Sequence, residues 1–263
     1  VARQARRLGM PALCWQVADA MWPLFEHRCT YDQARTVYRE GLAAARACRD
    51  RAAERRMLTL GGLVELGDRR HGRALTVFEE AARCCRRHGD EPGHARTLHY
   101  RGSALQRLGR SAEAAELLAR AAVECPRCGD RRTGAWARLG LAEVLLGEGR
   151  SEEAEAEASL AWRLLRELGD DAAAARAAAL LGHARLARGR TRAAESLLRD
   201  AVRQLGAVGA EREEARAWQA LADIARRRGR WDLARRRWRR ALALYAALGP
   251  PSAAEDVRAR LAV

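Results

Sequence analysis

Residues 211–250 read EREEARAWQALADIARRRGRWDLARRRWRRALALYAALGP, and the fold can be read from them. Trp218, Leu221, Ala222 and Ala225 recur at steps of three and four and mark one face of a helix. After Gly229-Arg230, the residues Trp231, Ala234, Trp238, Ala241 and Tyr245 mark the face of a second helix. Gly229 suits the left-handed residue that ends the first of the two. The stretch is a helical hairpin whose apolar stripes must be buried against neighbours.

The same hairpin recurs upstream at a 40-residue step. Small residues stand at Ala34, Ala74, Ala114, Ala154, Ala194 and Ala234, and seven positions later at Gly41, Ala81, Ala121, Ala161, Ala201 and Ala241. Twelve positions before the first series come Trp22, Gly62, Gly102, Ala142, Gly182 and Ala222. Units end at Arg49-Asp50, Gly89-Asp90, Gly129-Asp130, Gly169-Asp170, Gly209-Ala210 and Gly249-Pro250, and the inner turns fall at Gly109-Arg110, Gly149-Arg150, Gly189-Arg190 and Gly229-Arg230. Small residues let helix backbones approach; the large ones fill the holes of the next pair. Trp22 stands where a small residue is expected. The second unit places its turn glycine two residues early, at Gly67, with another at Gly72. Irregular packing is therefore expected at the first two pairs.

Composition agrees with an all-α chain. Ala supplies 58 of 263 residues, all 49 basic residues are Arg, Lys and Asn are absent, and Ile224 is the sole isoleucine. β-Branched and aromatic residues are too few for a large sheet. Without Lys there is no phosphate-binding G-x-x-x-x-G-K-[ST] loop and no Schiff-base lysine. Neither H-E-x-x-H nor G-x-S-x-G occurs. Ser numbers six, and His99 and His183 have no carboxylate–nucleophile pairing in the repeat register, so no catalytic residue and no cofactor is assigned. No run of 18 uncharged apolar residues exists, and no signal-peptide pattern opens the chain. Seven cysteines in a long helical chain point to a reducing cytoplasm over a disulfide framework.

Small residues at three fixed places, with G-x-x-x-x-A at the turn, resemble the tetratricopeptide repeat, whose usual unit is about 34 residues. The resemblance implies a right-handed α-solenoid of antiparallel helix pairs. Residues 1–10 would end a preceding repeat helix, and six pairs would follow at 11–50, 51–90, 91–130, 131–170, 171–210 and 211–250. Residues 251–263 would form a capping helix behind the S-x-x-E box Ser252–Glu255. Val1–Gly9 aligns with Gly41–Arg49, so the chain is expected to start inside a repeat and to end at a natural C-terminus.

The run Cys14-Trp15-Gln16-Val17-Ala18-Asp19-Ala20-Met21-Trp22-Pro23-Leu24-Phe25 narrows the resemblance. It is similar to the opening of the C-terminal repeat region of actinobacterial antibiotic regulatory proteins and related signal-transduction ATPases. The ending Leu168-Gly169-Asp170 and the tail Ala254–Leu261 fit the same group. In that family a DNA-binding domain and a nucleotide-binding oligomerisation domain come first, and the repeats follow as sensor. The resemblance implies a sensor domain of a bacterial transcriptional regulator controlling secondary metabolism. Two other readings stay open: a free-standing scaffold for protein–protein interaction, and a nucleic-acid-binding solenoid.

In such a solenoid the first helices line the concave face. Helical counting brings Arg56, Arg96, Trp136, Arg176 and Arg216 into one register there, with His99 a turn on and Glu143, His183 and Asp223 a further turn on. Stacked guanidiniums can take carboxylates or phosphates bidentately, and Trp136 can cover an apolar group. The expected ligand is a protein or peptide, including domains of the parent chain itself, or an anionic small-molecule effector. Net charge is +15, and residues 211–250 hold eleven Arg against five acids. Arg228, Arg235, Arg236, Arg239 and Arg240 form a basic surface. Trp231 and Trp238 both fall on the core stripe, so base stacking is not expected, and nucleic acid ranks below protein as a partner. Cys85, His88, Cys125 and Cys128 fall along one edge. Neighbouring helices stand about 9–10 Å apart and a zinc–sulfur bond is about 2.3 Å, so convergence is required and no metal is assigned.

Overall fold

The computed structural model describes residues 9–28, 30–247 and 252–261. Every regular element among them is a helix. In order these are α1 (Pro11–Ala20), α2 (Trp22–Arg28), α3 (Tyr31–Ala47), α4 (Arg51–Gly67), α5 (His71–His88), α6 (Glu91–Arg107), α7 (Ser111–Arg127), α8 (Arg131–Gly147), α9 (Ser151–Glu167), α10 (Asp171–Ala187), α11 (Thr191–Ala207), α12 (Glu211–Arg227), α13 (Trp231–Ala247) and α14 (Ser252–Leu261). Among the described residues no helix is long and apolar enough to cross a membrane. Residues 1–8 and the Ser252 side chain, on which the expected preceding helix and capping box rest, lie outside the described parts.

The chain divides into two compact units, Val1–Ala137 and Arg138–Val263, with the division inside α8. In the first unit α1 packs on α3, and α3 to α7 pack each on the next. In the second, α9 to α14 pack each on the next. Within both, short turns make successive helices antiparallel.

The turns follow one rule. Gly109 takes φ +77° while the N–H of Arg110 reaches back to the carbonyl of Leu105 at 3.0 Å, the Schellman arrangement that satisfies a last-turn carbonyl. A left-handed residue recurs every twenty positions from Arg49 to Gly229. Two of these are not glycine: Arg49 (φ 55°) and Arg69 (φ 60°). The turn of the second helix pair is thus at Arg69, and Gly67 is helical. A Cβ on Gly67 would lie 2.9 Å from the Tyr31 ring, so its glycine serves packing and not the turn. After four junctions an aspartate caps the next helix: Asp50, Asp90, Asp130 and Asp170 accept from the N–H groups of Ala53, Gly93, Thr133 and Ala173.

The small-residue series is buried. Ala34, Ala74, Ala114, Ala154, Ala194 and Ala234 are each 0% exposed. At the third series, the ring of Phe78 occupies the space beside Gly62, and Leu198 the space beside Gly182. Of the two pairs expected to be irregular, the first is, whereas the second keeps its turn in step at Arg69. Pro23 has no N–H to continue α1, which ends at Ala20; α2 then carries Trp22 and Phe25 against Tyr38 at centroid distances of 6.4 and 5.9 Å.

Ion pairs latch the starts of three second helices, α3, α9 and α11, to the end of the next first helix. In the first unit Arg35 pairs with Asp68. In the second unit the polarity is reversed: Glu155 accepts from Arg188 at 2.8 Å, and Glu195 pairs with Arg228. Glu155 is 7% exposed and also takes Arg185 (3.1 Å) and Arg190 (3.0 Å). Burial acts to raise its pKa, but the surrounding guanidiniums outweigh that and hold it below the ordinary value.

Candidate functional site

In the first unit, the first-helix residues Arg56, Arg96, His99 and Trp136 come from α4, α6 and α8. Trp136 and His99 are brought together with ring centroids 6.3 Å apart. His99 leans on Tyr100 (5.3 Å), and Tyr100 stacks on Phe78 (5.3 Å, 20° between planes). Tyr100, which helical counting does not single out, thus links the half-buried edge of this ladder to the core. Burial drives the His99 pKa down to about 4 against a smaller opposing effect of Asp130, and its Nδ1 is closed off from solvent without a hydrogen-bond partner. The ring is neutral at pH 7.

The arginines of this face are already engaged. Arg96 Nε reaches Asp130 at 2.6 Å, and Arg56 Nε reaches Asp19 at 2.6 Å. Asp130 does double duty: it caps α8 through Thr133 and neutralises Arg96. The hydrogen bonds from Thr133 and Arg96 hold its pKa below the ordinary carboxylate value despite burial. Such pairs leave guanidinium N–H groups to donate but little net charge to attract a free anion.

In the second unit, Arg176 lies between Glu143 (3.5 Å) and Glu213 (3.2 Å). His183 is pushed down to about 4 by burial, with Arg216 adding to the shift. Arg216 is exposed and makes no ion pair among the described residues. Asp223 binds Arg260 of α14 at 2.8 Å.

The basic surface resolves into two kinds of residue. Arg235, Arg236 and Arg239 are exposed on α13 without an ion pair among the described residues, whereas Arg228 and Arg240 are paired with Glu195 and Glu214. Arg237 is buried and donates to the Leu221 carbonyl at 2.8 Å. Trp238 is 1% exposed, but Trp231 is 46% exposed and does not belong to the core stripe. The reason is geometric. A helical side chain covers the turn before its own Cα, and Trp231 is the first residue of α13, so that turn is missing.

Cys85, His88, Cys125 and Cys128 do not form one ligand group among the described residues. Cys85 and Cys125 are buried, and burial pushes their thiols up to about 11 and about 12. His88 instead lies with Cys84 one turn earlier and with Glu54 of α4, their donor atoms within 4.8 Å of one another. A cavity of about 480 Å³ opens beside Glu54, lined also by Arg46, Glu80, Arg83, Arg86 and Arg87. A second, of about 680 Å³, is lined by residues including Cys85, His94, Arg120, Glu124 and Cys128.

No protein-family model matches the chain, and no curated protein matches its sequence. Solved structures do match. BtubC (BKLC) from P. vanneervenii superposes with a TM-score of 0.67 at 16% identity, over 85% of this chain and 94% of that one. A Signal Transduction ATPase with Numerous Domains protein with a tetratricopeptide repeat sensor, from Pyrococcus horikoshii, gives 0.69 at 14% identity, over 90% of this chain and 37% of that one. The Rap conjugation gene regulator of plasmid pLS20, in complex with the Phr* peptide, gives 0.59 at 14% identity, over 78% and 56%. The chain has the fold of tetratricopeptide-repeat-like proteins.

Proposed function

We propose that this chain is a protein- or peptide-binding sensor domain, and that its first-helix faces hold the ligand. The observation that carries this reading is the Trp136–His99 pair beside the engaged guanidinium of Arg96. An aromatic surface next to neutral ion pairs suits an extended polypeptide, which offers apolar side chains and backbone carbonyls, better than it suits a free anion. The likeness to a peptide-bound regulator and to a repeat sensor supports the same class. The Trp15–Phe25 resemblance extends the reading to a bacterial transcriptional regulator of the signal-transduction ATPase type, controlling secondary metabolism in a reducing cytoplasm.

The test is selection of peptides on the chain from a displayed random library, followed by titration of a selected peptide. Trp136→Ala and Arg96→Ala should each weaken binding about ten- to a hundredfold, as expected for loss of a desolvated anchor or charged contact. Unchanged affinities for both would remove the ligand from this face. DNA encoding nucleotide-binding and DNA-binding domains in frame before Val1 would support the regulator, and a start codon close by would favour the scaffold.

A second reading has one observation of its own: exposed Trp231 shares α13 with the unpaired Arg235, Arg236 and Arg239. Duplex DNA binding with a steep salt dependence, lost on Arg236→Ala, would favour it.

A further inference from the structure

Cys84 and His88 stand one helical turn apart at the end of α5, and Glu54 faces them from the first turn of the antiparallel α4. Their donor atoms lie within 4.8 Å of one another. Helix periodicity explains why it is this trio: positions four apart share a face, whereas Cys85 is turned about a quarter of the way round, into the core. We propose that Glu54, Cys84 and His88 form a binding site for a divalent transition metal of the Zn²⁺ class.

The donor set is one thiolate sulfur, one imidazole nitrogen and one carboxylate oxygen, a mixture that Zn²⁺ accepts at about 2.0–2.3 Å per bond. In a tetrahedron of such bonds the donors stand about 3.3–3.8 Å apart, so the observed trio closes on a metal with shifts of about an ångström. The thiolate and the carboxylate supply two negative charges, and binding releases the Cys84 proton to solvent. Arg46 donates to one oxygen of Glu54 at 3.0 Å, the kind of outer-shell hydrogen bond that orients a ligating carboxylate. Cys84 is 1% exposed, so the metal approaches from the Glu54 side, where the cavity beside Arg46 and Glu80 opens. Three protein ligands leave a fourth position facing that cavity. One repeat further on, the equivalent positions carry His94, Glu124 and Cys128. Those three line the larger cavity but do not reach ligand distance of one another, which makes them an internal control.

The experiment uses the reduced, untagged chain titrated with Co²⁺ and followed by the thiolate-to-cobalt charge-transfer absorption, then with Zn²⁺ as competitor. One equivalent of Co²⁺ is expected to bind and to be bleached by Zn²⁺. Cys84→Ser should abolish the band. Glu54→Gln and His88→Gln should each weaken binding more than about tenfold, the smallest loss typical even of outer-shell changes. Cys128→Ser should change nothing. Absence of the band, its survival in Cys84→Ser, or its loss in Cys128→Ser would overturn the site. Circular dichroism checks the fold of each variant. Should Cys84→Ser unfold, half-buried His88 at the helix end decides, and unchanged affinity in His88→Gln refutes the proposal.

Discussion

The Phe78 ring stands where a side chain at position 62 would have to be: a Cβ on Gly62 would meet Phe78 Cε1 at 2.3 Å. Gly62→Ala should therefore force the ring or the helix to shift and cost about 1–3 kcal/mol, the usual range for overpacking. Gly72, also helical, has nothing within 4 Å of its own Cβ position. Gly72→Ala should raise stability by about 0.5 kcal/mol through helix propensity and a less flexible unfolded chain. Urea midpoints of the two variants, moving in opposite directions, are the measurement.

Glu155→Gln should destabilise the second unit by about 2 kcal/mol or more, because three guanidiniums lose a buried counter-charge. Glu113→Gln should leave the midpoint where it is, since the Glu113–Arg110 pair is exposed to water. Because the folded pKa of Glu155 is depressed, its contribution is present above the unfolded value of 4.5 and is lost as pH falls through the folded one.

His99 and His183 add to the acid response in the same direction, at higher pH. Both are held neutral when folded, with pKa values near 4 against 6.5 for the free side chain. Between pH 6.5 and 4 the unfolded chain binds more protons, so stability falls as pH drops across that window, by up to about 3 kcal/mol per histidine at its lower end. Denaturation midpoints at pH 7 and pH 5 should differ, and His183→Gln should shrink the difference. Arg216→Gln should raise the His183 pKa in an NMR titration by removing the adjacent positive charge.

Arg69→Gly should stabilise the first unit by about 1 kcal/mol. Arg69 holds φ 60° on an exposed turn, a conformation that glycine adopts without strain. Gly109→Ala, at φ 77°, should cost a similar amount. Thermal melts of the two variants test the pair together.

The repeat was legible because packing imposed it at fixed steps. Ala34 and its successors recur where helices touch, and Gly109 and its successors recur where the chain must turn left-handed. The turn at Arg69 was not legible, because a nearby glycine, Gly67, was spent on making room for Tyr31. The faces of the first helices were only half legible. Helical counting named Arg96 and Arg176. Two of their partners lie at the starts of later helices, outside the period of the face: Asp130 caps α8, and Glu213 stands in the first turn of α12. Trp231 misled for a related reason: periodicity assigns a direction to a side chain but does not register that the helix has only just begun.

The opposed polarity of the ion-pair latches has a consequence for the gene. Repeats of equal length invite unequal crossing-over, which drops or adds whole repeats without disturbing the reading frame. Loss of residues 36–155 would join Arg35 directly to Ala156 and keep every turn in step. It would also set Arg35 in the place of Glu155, facing Arg185, Arg188 and Arg190, and Asp32 in the place of Glu152, so that a fourth guanidinium replaces the buried carboxylate of the cluster. The latches therefore oppose the joins that exchange Arg35 for a glutamate latch, so that such a shortened array keeps its periodicity but not its electrostatic balance.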